Sequence, residues 1–369
     1  MSAQSENTAS AADAGAPARR AIKVLVVDDS AMVRQLLRRG LAADAGIEVV
    51  GTARDAYDAR DKIVQLRPDV LTLDVEMPKM DGVEFLRRLM PQYPLPVVMV
   101  SSLTERGKRI AMEALEAGAV GIVTKPKADV ARGLEGMLSQ LQRLVKEAAQ
   151  ADVSHWRQVR TTTIPPPARR SPLAESTDKV IAIGASTGGV EALRRVISNL
   201  PQAAPGVVIV QHMPAGFTST FAQRLDELSA MAVKEAEHND RVLPGRVLLA
   251  PGGMRHLRVV RSGGDYRVAL EAGDKVCGHC PSVEVMMQSV AANVGANAIG
   301  AMLTGMGHDG ADGLVAMRRA GARTLAQDEA SSVVFGMPRE AYERGGAEEL
   351  VPLGGIAARL VALLNEVAG

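Results

Sequence analysis

VIAIGASTGGVEALRRVI, residues 180–197, reads as a buried strand, a glycine turn and a helix in immediate succession. The run Val180 to Ile183 is apolar, and Val190, Leu193 and Ile197 recur at helical spacing after the turn. Gly184, Ser186 and Gly188 fit a G-x-S-x-G elbow, where glycine permits a tight turn that lifts the serine hydroxyl above a sheet edge. Downstream, GVVIVQH (206–212), RVLLAP (246–251) and NAIGAMLTG (297–305) repeat the apolar-strand texture between helical segments. Upstream, Ile22 to Val27, Asp69 to Leu73, Val97 to Val100 and Gly121 to Val123 do the same, with Met32, Leu36, Leu37 and Leu41 at helical spacing between the first two. Strand and helix alternate throughout. The expectation is an α/β protein of two doubly wound parallel-sheet domains, each sheet covered on both faces.

Length agrees, since 369 residues suit two domains with real cores. Hydrophobic residues at 47% and charged residues at 23% exclude global disorder. Residues 1–20 are rich in Ala, Ser and Gly and read as a tail outside the fold. The first domain is expected over 21–143, a linker over 144–177 and the second domain over 178–369. The linker begins as a helix and becomes a Pro, Arg and Thr tract, with prolines at 165–167 that favour an extended spacer. The 43 basic and 42 acidic residues leave a net charge of +1, and from Asp178 onward 18 basic against 20 acidic residues give −2. A nucleic-acid-binding output domain would ordinarily be basic, so no nucleic-acid partner is expected. No apolar run is long enough to span a membrane, and the first residues lack the apolar centre of a secretory signal. Cys277 and Cys280, the only cysteines, are too few for a disulfide framework. A cytoplasmic protein without membrane insertion is expected.

In the first domain the strand KVLVV runs into Asp28 and Asp29, and VLTL runs into Asp74. Carboxyl ends of parallel strands share one edge, so the three acids can converge there. Three close anions call for a hard cation, and an all-oxygen set suits Mg²⁺. Ser101 and Lys125 close two further strands at the same edge, where a hydroxyl and an ammonium could meet phosphoryl oxygens. On these residues the segment from Ile22 to Gln140 resembles the receiver domain of bacterial response regulators, a flavodoxin-like fold. The resemblance implies phosphorylation of Asp74 by a histidine kinase, Mg²⁺ held by Asp28, Asp29 and Asp74, and sensing of the phosphoryl group by Ser101 and Lys125.

In the second domain a serine nucleophile needs a base, usually an imidazole held by a carboxylate. His212 ends the strand GVVIVQ, and Asp309 lies in the glycine-rich loop after NAIGAML, so both can reach the edge that carries Ser186. A phosphate-binding glycine loop is the competing reading of GASTGG, but the segment lacks G-x-G-x-x-G spacing and a GK[ST] ending. His238, His256 and His308 end no strong apolar strand and rank below His212. The chain order Ser, His, Asp differs from that of α/β-hydrolases. Together GASTGG, QHMPAGFT, KEAEHNDRVLPGRVLLAPGG, TGMGHDGADG and AQDEASSVVFGMPREA resemble the methylesterase domain of the chemotaxis protein-glutamate methylesterases, over about Lys179 to the C-terminus. The resemblance implies a three-layer αβα domain with Ser186 as nucleophile, His212 as base and Asp309 as its orienter, and a backbone oxyanion donor at Met306. It implies as substrates the glutamyl methyl esters and certain glutamines of methyl-accepting chemoreceptor helices, and as phosphodonor the chemotaxis histidine kinase. In CGHC (277–280), Cys277, His279 and Cys280 supply three adjacent ligand candidates where a closed zinc site needs four, so no cofactor is expected in the catalytic domain. The alternative is a non-enzymatic response regulator whose output domain binds a nucleotide or a protein.

Overall fold

The computed structural model describes residues 20–102, 104–125, 130–158 and 178–366. The expected tail, apart from Arg20, and the Pro-rich part of the expected linker lie outside the described residues, as does Pro126.

The first domain runs β1 (Ile22–Val27), α1 (Ala31–Ala42), β2 (Ile47–Ala53), α2 (Ala56–Leu66), β3 (Val70–Asp74), α3 (Gly82–Gln92), β4 (Val97–Ser101), α4 (Glu105–Glu116), β5 (Gly121–Thr124) and α5 (Val130–Ala148). Its five parallel strands lie in the order β2-β1-β3-β4-β5. Residues of β3 and β4 are buried throughout, as expected of strands covered on both faces. Helices start where a side chain satisfies their open N–H groups: Ser30, Asp55, Asp81 and Thr104 cap α1 to α4 in turn.

The second domain continues β6 (Val180–Ala185), α6 (Gly189–Ser198), β7 (Gly206–Gln211), α7 (Phe217–Leu228), β8 (Ala232–Glu235), β9 (Arg246–Leu249), β10 (Arg255–Ser262), β11 (Asp265–Ala272), α8 (Val283–Asn293), β12 (Ala298–Met302), α9 (Ala311–Arg319), β13 (Arg323–Gln327), α10 (Met337–Glu343), β14 (Glu349–Val351) and α11 (Leu353–Glu366). Seven parallel strands lie in the order β14-β13-β12-β6-β7-β9-β8. Alternation along β6 defines the layers. Ile181 and Ile183 pack with α6, α7 and α11, whereas Val180 and Ala182 pack with α8, α9 and α10. The two domains are therefore α/β with parallel sheets, and the second is a three-layer sandwich.

An antiparallel hairpin, β10–β11, joins the α8 side. Strand–helix alternation did not announce it, although Gly263 and Gly264 between two alternating runs are a hairpin signal. The stretch expected to begin the linker is ordered at its start: α5 reaches Ala148, a 3₁₀ turn spans Ser154–Gln158, and the Asp152 N–H donates to Val333 O at 2.8 Å across to the second domain. Arg224 of α7 also pairs with Glu116 of α4 at 3.0 Å. The apolar core of the first domain is continuous with the α6, α7 and α11 face of the second.

Candidate active site

Three neighbouring strands carry the site. The central β6 ends at Ala185, with β7 on one side and β12 on the other. Ser186 follows β6, and its N–H donates to Thr304 O at 3.0 Å just beyond β12. On the opposite flank the His212 N–H donates to Ala185 O at 3.1 Å. Gly188 takes φ +78°, a conformation that side chains oppose, and from there α6 begins at Gly189. The Gln211 side-chain amide ties the turn down by donating to Ser186 O at 2.8 Å and His212 O at 3.1 Å.

His212 Nε2 lies 2.7 Å from Asp309 Oδ2. Asp309, 2% exposed, sits under the N-terminus of α8 and accepts from Ser282 Oγ (2.7 Å), Val283 N (2.8 Å) and Glu284 N (2.9 Å). These are the open donors of a helix end, and the helix dipole there favours an anion. Burial acts to raise the Asp309 pKa, but the bonds from His212 and Ser282, the charge of His212 and the Glu284 N–H outweigh it and hold the carboxyl below its ordinary value. The second ring nitrogen of His212, Nδ1, is buried and has no hydrogen-bond partner among the described residues. Ser186 and His212 line one cavity of about 390 Å³ between the two domains, along with Thr187, Thr304, His279 and Glu147.

The Met306 loop, Gly305 to Gly307, borders the serine turn. A Cβ added to Gly305 would stand 2.8 Å from Ser186 Cβ and 3.2 Å from Ser186 N. Thr304 lines the cavity, whereas Met306 is outside its lining. The lower-ranked histidines are placed elsewhere. His238 Nδ1 accepts from Leu270 N, His256 is buried between Ser282 N and Asp274 O, and His308 is exposed.

His279 enters the site in a way that its reading as a zinc-ligand candidate missed. A tight turn with φ +51° at Cys277 and +82° at Gly278 pairs Val276 with His279 and sets the His279 ring flat against His212, centroids 3.6 Å apart and planes 2° apart. Burial and the adjacent His212 charge push the His279 pKa down to about 3. A neutral ring thus covers one face of the imidazole that Asp309 holds.

In the receiver, Asp28, Asp29 and Asp74 present ligand atoms within 4.8 Å of one another. Lys125 Nζ reaches Asp28 Oδ2 at 2.9 Å and Asp74 Oδ2 at 3.0 Å. Burial pushes Asp74 up to about 6, with Lys125 pulling it down and Asp28 adding to the rise. Asp28 and Asp74 are buried while Asp29 is exposed, so the donor set is all carboxylate and opens to water on one side, as a hard cation requires. Ser101 is buried with its hydroxyl donating to Gly107 O of α4 at 3.1 Å and to Ser102 O at 3.2 Å. Of the five residues at this edge, four meet through their charged groups and Ser101 turns to α4.

This is a receiver sheet joined to an α/β domain whose sheet edge brings a serine, a histidine and an aspartate together. Residues 24–132 match the response regulator receiver domain family and 181–360 the CheB methylesterase family. The protein-glutamate methylesterase/protein-glutamine glutaminase of Syntrophotalea carbinolica is 66% identical over 94% of this chain and 98% of its own length. The protein of the same name from Sulfurimonas denitrificans is 51% identical over 94% of this chain and 99% of its own. The crystal structure of the Thermotoga maritima CheB methylesterase catalytic domain superposes with a TM-score of 0.50 at 39% identity, covering 51% of this chain and all of that one. The chain belongs to the protein-glutamate methylesterase/protein-glutamine glutaminase family of chemotaxis response regulators, and is an enzyme of that class. The non-enzymatic alternative is thereby set aside. Among the described residues no helix is long and apolar enough to cross a membrane.

Proposed function

We propose that this methylesterase hydrolyses glutamyl methyl esters on the cytoplasmic helices of chemoreceptors and converts certain receptor glutamines to glutamate, under control of its phosphorylated receiver. The observation that carries this reading is the Asp309–His212 pair, whose histidine lines the same cavity as Ser186 and keeps its Nδ1 without a hydrogen-bond partner among the described residues. Ser186 Oγ attacks the ester carbonyl as His212 Nδ1 takes its proton, and Asp309 stabilises the imidazolium. The oxyanion meets backbone N–H groups at the start of α6 and in the Met306 loop. His212 then protonates the methoxy oxygen, methanol leaves, and water activated by the same nitrogen cleaves the acyl-serine to glutamate. From a glutamine the same steps release ammonia. Each outcome adds negative charge to the receptor and supports a role in adaptation.

In the receiver, a chemotaxis histidine kinase phosphorylates Asp74. Asp28, Asp29 and Asp74 would hold Mg²⁺, whose charge offsets that of the phosphoryl oxygens. Lys125 pairs with the phosphoryl group, and Ser101 leaves Gly107 O to do so. Before that event the receiver covers the approach to Ser186, and phosphorylation shifts the population toward an open arrangement. The site of action is the cytoplasm, where receptor helices and kinase are found.

Methanol release from methylated receptor fragments, with and without a small phosphodonor and Mg²⁺, tests the reading. Ser186→Ala should abolish release and leave Asp74 phosphorylation intact. Substantial remaining turnover would put the nucleophile elsewhere.

A further inference from the structure

Helix α5 does not stop at the receiver. Its last turn places Glu147 in the cavity lined by Ser186, Thr187, His212 and His279. The carboxylate is 12% exposed and accepts from Thr187 Oγ1 at 3.2 Å, on the residue next to the serine. Its ion pair is loose, with Arg143 Nε at 3.8 Å from Oε1. Burial raises the Glu147 pKa, and the opposing effects of Arg143, Thr187 and His212 leave it raised.

This is a poor arrangement for a group whose purpose is to fasten two domains. Burying a carboxylate is costly unless short, well-aligned partners repay the lost hydration. The same interface has a closer ion pair in Arg224 of α7, which reaches Glu116 of α4 at 3.0 Å. In chemical terms Glu147 is a glutamate side chain presented by a helix, beside the serine turn and within the field of His212. The reaction's product has that same description.

We propose that Glu147 is an internal product mimic, presented by α5 to the acyl site of the unphosphorylated enzyme as a receptor helix presents its newly formed glutamate. The inference rests on the ester-hydrolase reading above and adds what fills the site: a competing carboxylate rather than bulk cover alone. Undocking of the receiver then removes a competitor as well as a lid, and returns a poorly compensated anion to water.

Two substitutions in the full-length, unphosphorylated chain test this. Glu147→Gln replaces the product-like acid with a substrate-like amide of the same shape. Ser186 Oγ would attack its Cδ, the Cδ–Nε2 bond would break, and ammonia would leave with the proton His212 took from the serine. Water would then cleave the acyl-serine, restoring glutamate at position 147 and a free Ser186. Mass spectrometry of the peptide containing position 147 should show amide-to-acid conversion in E147Q and none in E147Q/S186A. Glu147→Ala should lower the apparent KM for a methylated receptor fragment by about tenfold with kcat unchanged, as for a site that its own competitor occupies most of the time. An intact amide at position 147 in a chain that still hydrolyses receptor esters would overturn the mimicry and leave Glu147 a latch. An unchanged KM in E147A would overturn it too. If the parent chain neither released methanol nor reacted at Ser186 with a fluorophosphonate, the reading of the site would fail first and the mimicry with it.

Discussion

Gly305 borders Ser186 so closely that any side chain there must displace something. A Cβ would press on Met337 Sδ on one side and Ser186 on the other. Gly305→Ala should therefore lower kcat by about 100-fold, the scale of a misplacement of roughly 1 Å, while overpacking costs about 1–3 kcal/mol of stability. Single-turnover kinetics with a receptor ester, beside a melting curve, would check both, and an undiminished kcat would mean that the serine does not act from this position. His279 gives a pH prediction. Its pKa is about 3 in the fold against 6.5 ordinarily, so the unfolded chain takes up a proton that the folded chain refuses. The stability from its neutral form is complete above pH 6.5 and is lost progressively as pH falls toward 3. Between about pH 7 and 5 the loss is up to about 2 kcal/mol. His279→Gln should flatten that part of the stability–pH curve in urea titrations; an unaltered slope would show that the stacked ring protonates freely.

At the scale of an element, α8 matters more for its N-terminus than for its length. Ser282 caps the helix through Val285 N and also donates to Asp309, so one hydroxyl serves both fold and site. Ser282→Ala should cost about 1–2 kcal/mol in urea unfolding and lower kcat several-fold, since Asp309 Oδ1 then keeps only the Glu284 N–H and holds the aspartate and its imidazole less firmly. Loss of stability with full kcat would confine Ser282 to capping. The hairpin β10–β11 and helix α5 show how an element can have a legible type and an illegible destination. The helical spacing after Leu144 announced a helix, but nothing in that spacing said that its last turn would leave the receiver and cross into the cavity.

For the whole molecule, the continuous apolar core between the receiver and the α6, α7 and α11 face argues for cooperative docking rather than two loosely tethered beads. A chain lacking residues 1–175 exposes the cavity and should hydrolyse receptor esters faster than the unphosphorylated full chain, with no response to a phosphodonor. An equal or lower rate from a folded truncation would sink the covering model. The pair Arg224–Glu116 is partly exposed, so it contributes about 1 kcal/mol or less and can open without a large barrier, as the proposed phosphorylation switch requires.

The sequence by itself determined the kinds of element, their alternation, and the acids, hydroxyls and imidazole that stand at strand ends. It could do so because burial on both faces forces continuous apolar runs, and parallel strands bring all their carboxyl ends to one edge. The tertiary structure alone decided which groups meet across elements: the donors that Ser282, Val283 and Glu284 give Asp309, the flat stacking of His279 on His212, the turning of Ser101 to α4, and the entry of Glu147 from another domain. Those meetings depend on the direction in which each side chain leaves its backbone and on which faces pack. Neither is encoded in the local periodicity from which a sequence is read.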